Sequence, residues 1–174
     1  MERNERLEAL EFALTNEKKE KEFYQENADR TNDPLGKAMF ASIAEEETEH
    51  YNRLLELHGK LEERKKWPEE FSAELTSSKV KEILDQAAAS VKAELKGNEK
   101  DIEAVRIALE FEEKGEKFYA DMAVKADNDA ERHFFTLLSS MEREHRLSLL
   151  DTLEYFEDPK GWLERKGGQI LDGA

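Results

Sequence analysis

The chain has 174 residues, no cysteine, 40% charged residues and a net charge of −15. That length suits one domain rather than two, and the missing cysteines exclude disulfides, Cys-ligated zinc and iron–sulfur clusters. The negative charge disfavours nucleic acid and anionic membrane surfaces; with no membrane-length apolar run and no apolar signal core at Met1-Glu2-Arg3-Asn4, a soluble cytoplasmic protein is expected.

Three prolines and eight glycines among so many charges favour long helices over sheet. Apolar periodicity predicts four of them. The first covers about residues 2–30 and places Leu7, Leu10, Leu14, Glu17, Tyr24 and Ala28 on one stripe. It stops at Thr31-Asn32-Asp33, where Asp33 suits an N-cap and Pro34 the first position of the next helix. The second helix runs to about residue 65, with the stripe Met39, Ile43, Glu47, His50, Leu54, Leu57 and Leu61. A connection over about 66–98 follows. It holds Trp67-Pro68, a Ser77-Ser78 cap and a short helix predicted at 79–95. Simple up-down bundles join helices with roughly 2–8 residues. A connection this much longer is expected to travel the length of the bundle, making the second and third long helices parallel, as in the one-crossover ferritin-like bundle. The third long helix starts after Gly97-Asn98 and carries Ile102, Val105, Leu109, Glu112, Tyr119 and Met122. The fourth starts near Asn128 and carries Phe134, Leu138, Glu142, His145, Leu149 and Thr152. The expected fold is thus an all-α four-helix bundle over 1–158. A tail over 159–174 is expected to form a short helical turn around Trp162 and fray near Gly167-Gly168. Trp67, Phe71 and Trp162 read as packing anchors for the crossover and tail, or as part of a homodimer contact.

The chain also repeats itself. Glu17 with Phe23-Tyr24 recurs as Glu112 with Phe118-Tyr119, at an offset of 95 residues. The same offset carries Glu47-Thr-Glu-His50 onto Glu142-Arg-Glu-His145, Phe40 onto Phe135 and Leu54 onto Leu149, without a gap. The bundle reads as a helical hairpin written twice.

Each apolar stripe is interrupted at its middle. Glu17, Glu47, His50, Glu112, Glu142 and His145 stand at core-facing positions, where an unpaired carboxylate costs several kcal/mol. Four carboxylates carry four negative charges and two neutral imidazoles none, so two divalent cations neutralise the set. Residues three apart lie about 60° apart round a helix, so Glu-x-x-His aims a carboxylate and an imidazole at one ion. A Glu from each of two helices plus Glu-x-x-His from the other two is the ferritin-like dimetal arrangement. Such donors suit iron and manganese, and also zinc. A metal-free bundle with protonated or salt-bridged carboxylates is the alternative.

Tyr24 and Tyr119 each follow a site Glu by seven residues, which returns to nearly the same face about 10 Å along the axis. Each is placed either to hydrogen-bond a site carboxylate or to fill the core with its hydroxyl satisfied elsewhere. His58 and His133 read as surface residues. Glu45, Glu46, Glu49 and Glu144 read as parts of solvated faces.

At these motifs the chain resembles the rubrerythrin branch of the ferritin-like superfamily. The carriers are Phe12-Ala13-Leu14-Thr-Asn-Glu17, Ala44-Glu-Glu-Glu47-Thr-Glu-His50, Ala108-Leu109-Glu-Phe-Glu112-Glu-Lys-Gly115 and Met141-Glu142-Arg-Glu-His145. The resemblance implies a non-haem site of two iron ions. It implies that Glu47 and Glu142 bridge the ions, with Glu17 and His50 on one and Glu112 and His145 on the other. It implies reduction of hydrogen peroxide, or reaction of Fe(II) with dioxygen. Two departures stand out. Rubrerythrin proper carries a Cys-rich rubredoxin domain that supplies electrons; this chain has no Cys, so an external electron donor is expected. Rubrerythrin also has an extra Glu where Gly115 stands here, while Glu20 holds the equivalent place in the first half. Glu20 is either an additional carboxylate for the ions or a solvent-facing residue. The rival readings are a metal-binding module without a peroxide reaction and a metal-free structural bundle.

Overall fold

The structure, a computed structural model, describes residues 2–63, 67, 78–88 and 98–172. Six helices follow in order: α1 (Arg3–Arg30), α2 (Pro34–Glu63), α3 (Val80–Ala88), α4 (Glu99–Lys125), α5 (Asp129–Glu157) and α6 (Pro159–Asp172). No strand occurs among the described residues.

The helix starts follow from local chemistry. Asp33 Oδ1 accepts the Gly36 backbone N–H at 2.8 Å, and Pro34 fills the first turn of α2. Asn128, 95 residues later in sequence, accepts the Glu131 N–H at 2.9 Å and starts α5. The duplication therefore extends to the caps. Asn98 starts α4 in the same way, accepting from Asp101 N–H at 3.0 Å.

The hairpins α1–α2 and α4–α5 pack face to face, with α1 beside α4 and α2 beside α5. Two polar joints set their direction. At one end Arg6 of α1 donates to Glu131 at 2.6 Å and Asp127 at 2.7 Å. At the other, Asp101 of α4 accepts from Thr31 at 3.0 Å and pairs with Arg30 at 2.9 Å. The start of α1 thus meets the end of α4, so those two helices are antiparallel and α2 is parallel to α4, as the long connection requires. Two apolar clusters fill the interior. One includes Tyr24, Phe40, Ile43, Val105, Leu149 and Trp162. The other includes Leu10, Leu54, Leu57, Phe134, Phe135 and Leu138. The interrupted middles of the stripes lie between them.

The tail differs from its expected form. Instead of a short turn it is a 14-residue helix that runs through Gly167-Gly168. Asp158 Oδ1 caps it by accepting the Gly161 N–H at 3.0 Å. Trp162 is buried in the first cluster and donates its Nε1–H to Asp151 at 2.9 Å. Burying that indole holds the helix against α5, which glycine composition alone does not reveal. Trp67 packs on Phe134 and Phe135 inside the chain. Phe71, and the parts of the expected helices at 64–65 and 89–95, lie outside the described residues.

Glu131 is fully buried and Arg6 is its charged partner. Arg6→Ala should strand that carboxylate and cost about 3 kcal/mol. Urea denaturation will read this directly, and Arg6→Met with Glu131→Gln should recover much of the loss.

Candidate metal centre

The six polar positions in the stripes converge. Glu17 comes from α1, Glu47 and His50 from α2, Glu112 from α4, and Glu142 and His145 from α5; each is at most 1% exposed. His50 Nδ1 lies 3.0 Å from Glu47 Oε2, 3.4 Å from Glu17 Oε2 and 3.7 Å from Glu142 Oε1. His145 Nδ1 lies 2.9 Å from Glu47 Oε1, 3.4 Å from Glu112 Oε2 and 4.0 Å from Glu142 Oε2. The two imidazoles stack across the centre with centroids 5.7 Å apart. Two donor sets result, Glu17–Glu47–His50–Glu142 and Glu47–Glu112–Glu142–His145, each with its donor atoms within 4.8 Å of one another. Glu47 and Glu142 belong to both.

The chemistry of these donors fits divalent cations. Among the described residues, Glu17 Oε2, Glu47 Oε1, Glu112 Oε2, both Glu142 oxygens and His145 Nδ1 are buried without a hydrogen-bond partner. Glu47 Oε1 and His145 Nδ1 approach to 2.9 Å outside good hydrogen-bond geometry. Buried polar atoms are ordinarily satisfied, and lone pairs gathered this way satisfy one another only through shared protons or a metal cation.

Without ions the charges can be held only by protons. Burial, with the Glu47 charge beside it, pushes the Glu17 carboxyl up to about 8. Glu142 is driven well above the usual carboxylate range by burial and by Glu47 and Glu112. Burial opposes a charged His50, but Glu47 and Glu17 outweigh it and hold its pKa at about 10. Burial also disfavours ionised Glu47, yet the two imidazoliums on either side hold it well below the usual range.

The tyrosines serve across the hairpins. Tyr24 donates to Glu112 and Tyr119 to Glu17, both through buried bonds. Each hydroxyl therefore orients the carboxylate of the other half, not the one seven residues before it. Burial pushes both phenols well above their usual range, so both stay protonated as donors.

Glu20 stands outside both donor sets and is half-buried. Burial and the charges of Glu47, Glu17 and Glu112 push its carboxyl well upward. It lines an α1–α4 groove of about 540 Å³ with Phe12, Phe111, Phe118 and Gly115; Glu17 and Tyr119 reach the same groove. At Gly115 a Cβ would lie 3.2 Å from Glu142 Cδ and 3.3 Å from its Oε2. The absent side chain is what lets Glu142 press against α4.

Glu46 is the residue that sequence reasoning missed. It does not lie on a solvated face: its side chain is 13% exposed and accepts from His145 Nε2 at 2.9 Å. One step from Glu47, it points about 100° round α2, and so meets α5 instead of its own helix's donors. Glu45 and Glu144 are exposed as expected, and Glu49 is half-buried. His133 is exposed, but His58 is mostly buried near Glu11 and Glu62, at 3.6 and 3.8 Å.

A sequence profile of the family described as Rubrerythrin matches residues 8–153. No curated protein and no solved structure matches the chain. No described helix is long and apolar enough to cross a membrane.

Two outcomes follow for the metal-free protein. Glu17 and His50 both hold protons in the fold that the unfolded chain releases at lower pH, their unfolded values being 4.5 and 6.5. Their stabilisation is therefore lost as pH rises through about 8 and about 10. The apo Tm should fall between pH 6.5 and 10, and that of the Mn(II)-loaded protein should fall less; calorimetry across that range checks it. Mn(II) at roughly 100 times its Kd should stabilise the chain by about 2.7 kcal/mol for each ion bound, or roughly 5–10 °C per ion. Glu142→Ala should abolish that gain.

Proposed function

The chain belongs to the rubrerythrin family, and from that premise we propose that it is a non-haem di-iron carboxylate oxidoreductase. It would reduce hydrogen peroxide, or react Fe(II) with dioxygen, using electrons from an external donor. The observation that carries this reading is the pair of overlapping donor sets that share Glu47 and Glu142. Carboxylate and imidazole donors suit iron, with manganese and zinc the alternatives.

Two iron ions would supply one electron each and share the negative charge that develops on the oxidant's oxygens. Glu47 and Glu142 would hold both ions. Glu17 with His50 would complete one position, and Glu112 with His145 the other. Tyr24 and Tyr119 keep Glu112 and Glu17 aimed inward. The apolar clusters on either side limit water. The groove beside Gly115 gives a small oxidant a way to Glu17. Glu20 stands there beside the centre, and burial and the neighbouring carboxylates push its carboxyl upward, toward the protonated form. Reducing one peroxide to two waters consumes two electrons and two protons, so a proton at that carboxyl is well placed. The 174 residues contain no Cys, so a Cys-ligated iron that supplies electrons would have to lie outside them.

Anaerobic loading with Fe(II), then stopped-flow mixing with peroxide and separately with dioxygen, tests the reading. Oxidation well ahead of free Fe(II) with at least one oxidant is the expected result. Equal rates with both would refute it. Tyr119→Phe should lower metal affinity by about 10-fold, the usual scale for losing a partner of a ligand.

A further inference from the structure

The duplication makes the two ion positions nearly equivalent, and one substitution breaks that equivalence outside the donor atoms. His145 has a partner for its outward nitrogen: Nε2 meets Glu46 Oε2 at 2.9 Å. His50 does not: its Nε2 is buried without a hydrogen-bond partner among the described residues. The offset of 95 residues explains why. The counterpart of Glu46 is Met141, which has no carboxylate to offer. Met141 is only 4% exposed, so solvent does not replace it freely.

Glu46 is itself held. Its Oε1 accepts the Lys79 backbone N–H at 2.8 Å, just before α3. One carboxylate thus spans from the crossover to a histidine of the centre. Both carboxylate oxygens are engaged, which fixes the direction in which Oε2 faces His145. A carboxylate on the far nitrogen of a ligating imidazole fixes the ring's tautomer, with Nδ1 free to bind, and raises its basicity.

We propose that Glu46 is a positioning residue that makes the two ion positions unequal, so that the His145 position holds its ion more tightly than the His50 position. The inference rests on the dimetal reading above. It concerns the order and strength of filling, not the reaction that follows.

The test uses Co(II) added to the metal-free full-length chain, followed by visible absorption and by competition with a chelator. The wild type should bind two ions in two resolved steps. Glu46→Ala should weaken the tight step by roughly 10–100-fold and leave the weak step within about threefold. Glu46→Gln, which keeps an acceptor oxygen without its charge, should recover part of the loss. Circular dichroism establishes that each variant keeps its helices. Met141→Gln approaches from the other side: an acceptor near His50 should tighten the weak step and draw the two together. If Glu46→Ala weakens both steps equally or neither, the proposal is wrong while the dimetal reading stands. If the wild type binds no Co(II) at all, the dimetal reading fails and this proposal with it.

Discussion

The structure depends on the burial of four carboxylates in one layer. Glu17, Glu47, Glu112 and Glu142 sit at the middle of four helices, each no more than 1% exposed. No apolar packing compensates such a layer, so the apolar residues divide into two clusters, one on each side of it. What surrounds the layer serves to hold it. Tyrosines cross between the hairpins to orient two of the carboxylates, and Glu46 steadies an imidazole. A glycine at 115 clears room for a third carboxylate. Two divalent cations would make the layer neutral. Without them it must keep protons at a pH where carboxylates normally lose them. The fold is therefore built around a charge balance that the polypeptide does not close by itself.

Most of this was readable in the sequence because it depends on spacing along one helix. The stripe positions of Glu47 and His50 follow from a period of 3.6, and the cap at Asp33 from the chemistry of a helix's first turn. The offset of 95 residues then relates one half to the other. The parallel course of α2 and α4 followed from the length of the connection. What escaped was whatever depends on which helix lies beside which. Periodicity gives the face on which Tyr24 sits, but not that its hydroxyl reaches Glu112 across the bundle. It places Glu46 beside the donor stripe, but not against His145. Likewise Gly167-Gly168 suggests a frayed tail, and only the burial of Trp162 shows why α6 continues. Local pattern specifies faces, whereas packing specifies partners.

The broken symmetry is as informative as the symmetry. The donor residues and the two tyrosines behind them are duplicated without exception, whereas the other supports are not. Glu20 faces the groove where its counterpart is Gly115, and Glu46 meets His145 where its counterpart is Met141. Both changes leave the six donors intact and alter what stands behind them. Two positions with the same donor atoms therefore differ in their surroundings: one imidazole is anchored, and one carboxylate is pressed against bare backbone.

The polar joints at the two ends of the bundle show the same divergence with opposite charges. Arg6 and Asp101 are counterparts in the repeat, yet one is a base facing the acids Glu131 and Asp127, and the other an acid facing Arg30. Were the α1–α2 hairpin to close on a copy of itself, Arg6 would meet Gly36 and Asn32, the counterparts of Glu131 and Asp127, and find no acid there. The α1–α2 hairpin thus carries half of a lock whose key exists only on the other, whereas Asp101 would still find a base in Lys125, the counterpart of Arg30. The halves have become complementary subunits within a single chain, no longer interchangeable ones.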